Sequence, residues 1–225
     1  PSQAIHPNDP TGFAANLFVN GEEKVLAIRG TEFEDTPLQL ILALQPGTQL
    51  GEQTILDLFG ADLEEIVGLG LALRQSTSLL NYVLRAMAPA GAPVAQYAMQ
   101  VQTVLSDVGG SPVPTGLASF SRGEAGPAAP VTWYWLQPTV GEGLGLFSPG
   151  DQVTVVGHSL AGHLAALALR LFPDLFSQAV IFNAAGFDAP GSKGITDDFV
   201  RIVAPLLPAA PAADFVSLGD RLQNY

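Results

Sequence analysis

The chain has 225 residues, no cysteine and a formal net charge of −12 at pH 7. Hydrophobic residues make up 48% and charged residues 13% of it, which is typical of a folded globular protein and excludes a disordered one. The lack of cysteine excludes disulfides and thiolate metal sites. The nine Lys and Arg residues are scattered, which argues against a nucleic-acid partner. The acidic net charge also disfavours electrostatic docking to anionic membranes, though not apolar contact with lipid.

The first part of the chain predicts a β-hairpin. Residues 13–19 and 24–29 each form an apolar, strand-like run, and Asn20-Gly21 between them is a strong signal for a tight turn. The second run ends in Arg29-Gly30-Thr31-Glu32, where glycine lets the backbone approach a ligand closely. An ordinary turn at the end of a strand remains the alternative interpretation.

The middle of the chain has mixed patterns. Apolar residues at three- and four-residue spacing predict a long helix over 61–87 and a second helix over 95–107. Residues 111–130 are rich in Ser, Pro, Gly and Ala, which predicts an irregular excursion. Residues 131–136 predict a strand, and the glycines within 141–145 predict a loose loop after it.

A strand, a tight turn and a helix are predicted around Ser159. The β-branched run 153–156 is typical of a strand buried on both faces. Gly157 and Ala161 supply small residues two positions before and after the serine, where strand and helix backbones nearly touch. The helix has an apolar face at i, i+4, i+7 and i+11 and ends before Pro173. That face consists of Leu160, Leu164, Leu167 and Leu171.

A further strand over 177–183 completes a strand–helix–strand unit, which implies parallel pairing. Residues 196–204 predict a short helix, and 214–225 predict the opening of the next strand. The chain is therefore expected to be an α/β protein with a mostly parallel central sheet flanked by helices. No linker interrupts it, so residues 1–225 are expected to form one domain.

A serine nucleophile needs a base and a carboxylate that holds the base. The chain has three histidines, His6, His158 and His163, and none follows Ser159 at a suitable distance. His163 is expected to be a packed helix residue. Asp188 and Asp220 are the candidate acids within the chain. Because the chain also begins at Pro1, it is expected to be a fragment whose acid and base lie beyond Tyr225.

Two motifs together resemble those of the class 3, fungal-type lipase family. They are Ile28-Arg-Gly-Thr-Glu32 and Val156-Gly-His-Ser-Leu-Ala-Gly-His-Leu-Ala165, and Val180-Ile-Phe-Asn-Ala-Ala-Gly-Phe187 looks like the strand and loop that follow. The resemblance covers about residues 13–32 and 131–187. It implies an α/β-hydrolase fold, incomplete at both ends. The nearest pattern is that of bacterial members whose turn at the nucleophile reads Gly-His-Ser-Leu-Gly-Gly-His-Leu-Ala.

Carried over by position, the resemblance implies that Ser159 is the nucleophile and that Thr31 and Leu160 form the oxyanion hole. Ala161 departs from the pattern because the family has glycine there. No cofactor is expected and no metal site is assigned, although some bacterial members of the family carry bound calcium. Glu32, Glu34 and Asp35 could ligate a cation, although a solvated acidic loop is the simpler interpretation.

The implied function is hydrolysis of lipid esters through an acyl-enzyme, with transient contact at a lipid interface. A non-catalytic lipid-binding or structural module on a decayed hydrolase fold is the alternative, and a phospholipase or polyester hydrolase is a third interpretation. The apolar stretch 37–60 and the loop 111–130 are candidate lids. Bacterial relatives are often secreted, so a secreted protein is expected, with a cytoplasmic one as the alternative. Oligomeric state is not indicated.

Overall fold

The computed structural model describes residues 2–29, 71–105, 111–123, 128–184, 186–187 and 194–225. Within them the chain forms nine strands and three α-helices, numbered in chain order. They are β1 (Ser2–His6), β2 (Ala14–Asn20), β3 (Glu23–Arg29), α1 (Leu73–Met87), β4 (Pro93–Leu105), β5 (Ser119–Gly123), β6 (Pro130–Glu142), β7 (Val153–His158), α2 (Leu160–Leu171), β8 (Phe176–Phe182), α3 (Ile195–Val203) and β9 (Leu222–Asn224). Two 3-10 segments, Ala204–Leu206 and Val216–Arg221, lie between α3 and β9.

The larger sheet has six strands in the order β1-β2-β3-β7-β8-β9. Its first two strand pairs are antiparallel, and the pairs β3–β7, β7–β8 and β8–β9 are parallel. The sheet is therefore mixed, with its parallel part around β7. This agrees with the expected α/β class, whereas the antiparallel first strand, β1, does not follow from the sequence patterns.

The predicted hairpin is present. β2 and β3 pair antiparallel from Ala14 opposite Arg29 to Asn20 opposite Glu23. Gly21 in the turn has a φ of +63°, a conformation that glycine adopts without steric cost. The β7–α2–β8 unit is also present, with β7 and β8 paired parallel as expected. β7 is buried on one face and only partly buried on the other, so the expected burial of both faces is not complete.

The predicted helix over 95–107 is wrong, because residues 95–105 belong to β4; residues 106–107 lie outside the described residues. β4 pairs antiparallel with β6 along its whole length, from Pro93 opposite Glu142 to Leu105 opposite Pro130. Ala, Gln, Met and Leu favour helices, but the side chains of β4 alternate with a period of two. Tyr97 and Met99 pack against the core, while Gln100 and Gln102 lie on the opposite face of the strand.

The expected irregular excursion over 111–130 contains a strand. β5 pairs antiparallel with β6, so β4, β6 and β5 form a second, three-stranded sheet. Gly141, which the sequence pattern places in a loose loop, lies inside β6, where a Cβ would meet the side chain of Gln96 at 2.8 Å. Strand pairing with a distant partner, rather than local composition, determines both segments.

The helices lie close to their predicted positions. α1 ends at Met87 as expected, while residues 61–70 of the predicted helix lie outside the described residues. α2 stops before Pro173, and α3 is followed by the 3-10 turn that contains Pro205. Among the residues that the structure describes, no helix is both long and apolar enough to cross a membrane.

The core lies around α2, all of whose residues are buried. The helix contacts β7, β8, β3 and α1, and apolar side chains of the second sheet join the same cluster. One charged residue is buried within the helix, Arg170, whose guanidinium pairs with Asp197 of α3. A second ion pair, between Arg122 and Asp198, joins β5 to α3.

Candidate functional site

Ser159 lies on a sharp turn between β7 and α2. Its backbone has φ 56° and ψ −123°, a conformation that a non-glycine residue adopts only when its surroundings enforce it. Two hydrogen bonds hold the turn: the Ser159 amide donates to the Phe182 carbonyl at 2.9 Å, and the His163 amide donates to the Ser159 carbonyl at 3.1 Å. The side chain is exposed. The turn thus presents a hydroxyl to solvent from a fixed backbone.

The close approach of strand and helix explains the small residues on either side. A Cβ at Gly157 would lie 2.1 Å from the carbonyl oxygen of Ala161, so no side chain fits there. A Cβ at Gly162 would lie 2.9 Å from the Cβ of Ala184, in the segment after β8. Ala161 itself is fully buried in the core. The structure accommodates its methyl group, and Gly157 and Gly162 make the tight contacts.

The Leu160 amide, one of the two expected oxyanion donors, belongs to the start of α2. The amide of Leu160 lies in the first helical position, where no carbonyl within the helix can accept its hydrogen bond. No acceptor for it is found in the described part of the chain. The positive end of the helix dipole lies at the same point. Thr31, the other expected donor, lies outside the described residues.

Neither histidine next to the turn is placed to act as the base of Ser159. His158 is exposed at the end of β7, but it is the sequence neighbour of the serine across the sharp turn. His163 is fully buried one helical turn further on, as its position predicts. Its ring stacks on the Phe187 ring, with centroids 4.0 Å apart. That contact fixes the imidazole beneath the surface.

His6 lies at the same edge of the sheet as Ser159 but far from it. Three strand spacings separate β1 from β7, or about 14 Å. The His6 ring packs against Phe13 and Tyr82, with centroids 5.6 and 5.0 Å away. Burial in this cluster lowers the pKa of His6, and it raises the pKa of Tyr82 to about 12. His6 is therefore a packed residue of the first strand.

Of the two candidate acids, Asp220 does not complete the site. Asp220 precedes β9, and β9 runs parallel to β8, so Asp220 lies towards the opposite edge of the sheet. By register it is about 20 Å from the level of Ser159. Its assignment as a candidate acid is wrong, because proximity to a strand end in sequence does not specify which end. Asp188 lies outside the described residues.

An exposed aromatic pair lies beside the serine, and the sequence patterns do not single it out. Phe182 and Tyr225 stack with ring centroids 5.6 Å apart, and they are 44% and 68% exposed. Phe182 pairs with His158 in register, and its carbonyl accepts the Ser159 amide. The pair thus forms an apolar surface at the edge where Ser159 is exposed. In the sequence, the one sign of this aromatic pair is a phenylalanine at the end of a central strand.

The remaining expectations concern metals and lids. Among the described residues, no group of three or more His, Cys, Asp or Glu side chains is placed to hold a metal ion. The acidic residues Glu32, Glu34 and Asp35 lie outside the described part. So does the candidate lid 37–60. The other candidate lid, 111–130, contains β5 of the second sheet, which ties that part of it to β6.

The fold and this turn together define an α/β protein that presents an exposed serine at the carboxyl edge of its parallel strands. No family model matches the chain, and no solved structure matches it. Two curated proteins are similar to part of it: Probable esterase PIR7A of Oryza sativa subsp. indica, and the protein of the same name in subsp. japonica. Each is 45% identical over 60 residues, which is 26% of this chain and 22% of the rice protein. The chain thus spans about a fifth of the length of the curated relatives it matches.

Proposed function

We propose that this chain carries the nucleophile of a serine ester hydrolase. The observation that carries the proposal is the backbone of Ser159, held at φ 56° and ψ −123° with its side chain exposed at a helix N-terminus. A strained residue of this kind persists where the surrounding structure over-determines it, and such residues cluster at functional sites. The partial similarity to two proteins named as esterases supports the same reaction class.

The fold proposed for the chain is that of the α/β-hydrolases, in the variant found in class 3 lipases. Parallel strands on both sides of β7 and the nucleophile at their carboxyl edge support it. In this arrangement Ser159 Oγ attacks the ester carbonyl, and the negative charge that develops on its oxygen is stabilised by the Leu160 amide. The alcohol leaves, and water then releases the acid from the acyl-enzyme.

The proposed substrates are esters with an apolar acyl chain, including lipid esters. The exposed rings of Phe182 and Tyr225 support this substrate class, because they offer apolar surface next to the serine at the same edge of the sheet. An acyl chain placed on them would be removed from water at about 25 cal/mol for each Å² of apolar surface buried. Contact with a lipid interface would follow from the same surface.

The proton of Ser159 has to pass to a base other than the three histidines of this chain. His6 is three strands away, His158 is adjacent across the turn, and His163 is buried against Phe187. This arrangement also favours a second candidate function, a non-catalytic module that keeps the turn without the base. The two candidates differ in whether Ser159 reacts as a nucleophile.

Covalent labelling distinguishes them. The protein expressed from its complete gene is treated with a fluorophosphonate, and the labelled peptide is identified by mass spectrometry. We expect an adduct on Ser159 that is lost in Ser159→Ala and retained in Ser148→Ala, an exposed serine in the loop before β7. Hydrolysis of 4-nitrophenyl butyrate should be lost in Ser159→Ala and retained in Ser148→Ala, as the label is. An unlabelled Ser159 in folded protein would reject the hydrolase and support the non-catalytic module.

A further inference from the structure

The second sheet turns two tryptophans to its outer face. Tyr134, Leu136 and Phe120 are buried on the inner face, and the Phe120 and Tyr134 rings stack at 4.9 Å. Side chains alternate along a strand, so Trp133 and Trp135 of β6 share the opposite face, where both are partly exposed. Tryptophan is enriched at interfaces because it offers a large apolar surface and an N–H donor, so two neighbouring indoles on one outer face form a candidate binding surface.

Each tryptophan is the centre of a cross-strand row with the same composition. Trp135 lies between Gln100 of β4 and Ser119 of β5, and Trp133 lies between Gln102 and Ser121. We call these the two Gln-Trp-Ser rows. Strand geometry places the rows about 6.6 Å apart, and each row spans about 10 Å. The face therefore repeats one set of groups, an amide, an indole and a hydroxyl.

All six side chains are at least partly exposed, and those of Gln102 and Ser121 are fully in the exposed class. None of them forms a hydrogen bond with another group in the described part of the chain. No outward position of the three strands carries a charged residue, although the chain as a whole has a net charge of −12. The face lacks the cations that a phosphate or nucleic acid needs and the carboxylates that a cationic ligand needs. Its composition therefore suits a neutral ligand.

We propose that the two Gln-Trp-Ser rows bind a neutral oligosaccharide, with β-1,4-linked glucose or xylose chains as the class that fits. The C–H face of such a sugar ring stacks on an indole, and its hydroxyls donate to and accept from the amides of Gln100 and Gln102 and the hydroxyls of Ser119 and Ser121. Because the two rows are adjacent and carry the same groups, they suit an oligosaccharide, whose successive sugars could occupy both rows, rather than a single sugar. The site lies on a different sheet from Ser159 and does not depend on ester hydrolysis.

A hydrocarbon layer fits these rows less well. Gln100 and Gln102 lie in line with the indoles, so burying the face in lipid would strip water from both amides. An amide buried without a hydrogen-bond partner costs about 1–3 kcal/mol in proteins, whereas a saccharide returns the lost hydrogen bonds. The composition of the rows thus favours the sugar over the membrane.

Tryptophan fluorescence tests the proposal directly, because the chain has two tryptophans and both lie in the rows. The whole chain is titrated with cellohexaose and xylohexaose. We expect a saturable blue shift of the emission, unchanged in Ser159→Ala and in Val101→Ala, whose side chain is exposed on the other face of β4. Trp133→Ala should weaken binding about tenfold, with Trp135 still reporting. Gln102→Ala, an exposed position where folding is not at risk, should weaken it several-fold.

Three outcomes would overturn the proposal. One is the absence of a saturable shift with either hexasaccharide. Another is a shift with phosphatidylcholine vesicles alone, which would make the face a lipid contact. The third is emission that changes with protein concentration in the absence of sugar, together with a rising mass in ultracentrifugation, which would make the face a contact between copies of the chain.

Discussion

The guanidinium of Arg170 lies over the ring of Phe215, with its central carbon 5.0 Å from the ring centroid. One of its nitrogens lies 2.6 Å from an oxygen of Asp197 and donates to the carbonyl of Ala213 at 2.8 Å. Arg170 is 3% exposed, whereas the Asp197 side chain is exposed. This one side chain thus fastens α3 and the segment before β9 to the helix that begins after Ser159.

The two ends of this ion pair should differ in their contribution to stability. Arg170→Ala is expected to lower the free energy of unfolding by about 3 kcal/mol, because it removes a buried side chain together with its contact with Phe215 and its hydrogen bonds to the carbonyls of Ala212 and Ala213. Asp197→Asn should cost less than about 1 kcal/mol, since the carboxylate is solvated. Urea unfolding monitored by circular dichroism measures both. Equal losses would show that the ion pair itself carries the stabilisation.

The strain at Ser159 leads to a second prediction. Ser159→Gly should be more stable than Ser159→Ala by about 1 kcal/mol. Glycine adopts φ 56° and ψ −123° without a Cβ clash, and this gain exceeds the larger loss of chain entropy that glycine undergoes on folding. Thermal and urea unfolding of the two variants gives the difference. If alanine were the more stable variant, the turn would not be strained.

The contact between Gly157 and Ala161 predicts a third effect. Gly157→Ala places a methyl carbon 2.1 Å from a backbone carbonyl, so strand and helix must move apart. We expect a loss of about 3 kcal/mol or more in the free energy of unfolding, together with loss of any fluorophosphonate label. Gly186→Ala is the matched control, since no atom of the described residues lies within 4 Å of its Cβ position. Similar stability of the two variants would contradict the close approach.

The cluster around His6 predicts a pH dependence. Burial lowers the pKa of His6 below its ordinary value of 6.5, the charge of Arg85 lowers it further, and the charge of Asp9 opposes both. A depressed folded-state pKa means that the unfolded chain binds the proton first. Stability from this group is therefore full above pH 6.5 and falls as the pH drops through the lower pKa of the folded state.

His6→Phe keeps an aromatic ring next to Phe13 and removes the titration. We expect its free energy of unfolding to change less between pH 7 and pH 5 than that of the unmodified chain, a range chosen around the ordinary pKa of 6.5. His158→Gln, which leaves His6 in place, serves as the control and should keep the full slope. An unchanged slope in His6→Phe would mean that other groups cause the pH dependence. Unfolding in urea at several pH values measures it.

The parts of the fold that local pattern controls are predictable from the sequence. The hairpin at Gly21, the strand before Ser159 and the leucine face of α2 each follow from a turn residue or an apolar period that nothing else overrides. The turn geometry is predictable for the same reason, because the absence of a side chain at Gly157 lets the strand pack closely against the helix. Of the two expected oxyanion residues, Leu160 has its amide at the start of α2, whereas Thr31 lies outside the described residues.

The second sheet could not be predicted in the same way. β4 consists of good helix formers, and its alternation becomes informative only once β6 is known to pair with it. β5 is short and lies in a stretch whose composition favours turns. The sequence predicts a strand at the tryptophans of β6, but their shared face with glutamine and serine depends on register between distant segments. Likewise, the edge at which Asp220 lies depends on strand direction, which is a property of the whole sheet.

Helix α2 has no solvent-facing side, and this sets the timescale on which the serine turn can rearrange. Amide hydrogens in a fully enclosed helix exchange with solvent water only when the whole molecule opens. Of the two backbone hydrogen bonds that hold the turn, one joins the Ser159 carbonyl to this helix and the other joins the Ser159 amide to β8. We therefore expect the hydroxyl of Ser159 to meet solvent continuously while its backbone keeps one geometry for as long as the protein stays folded.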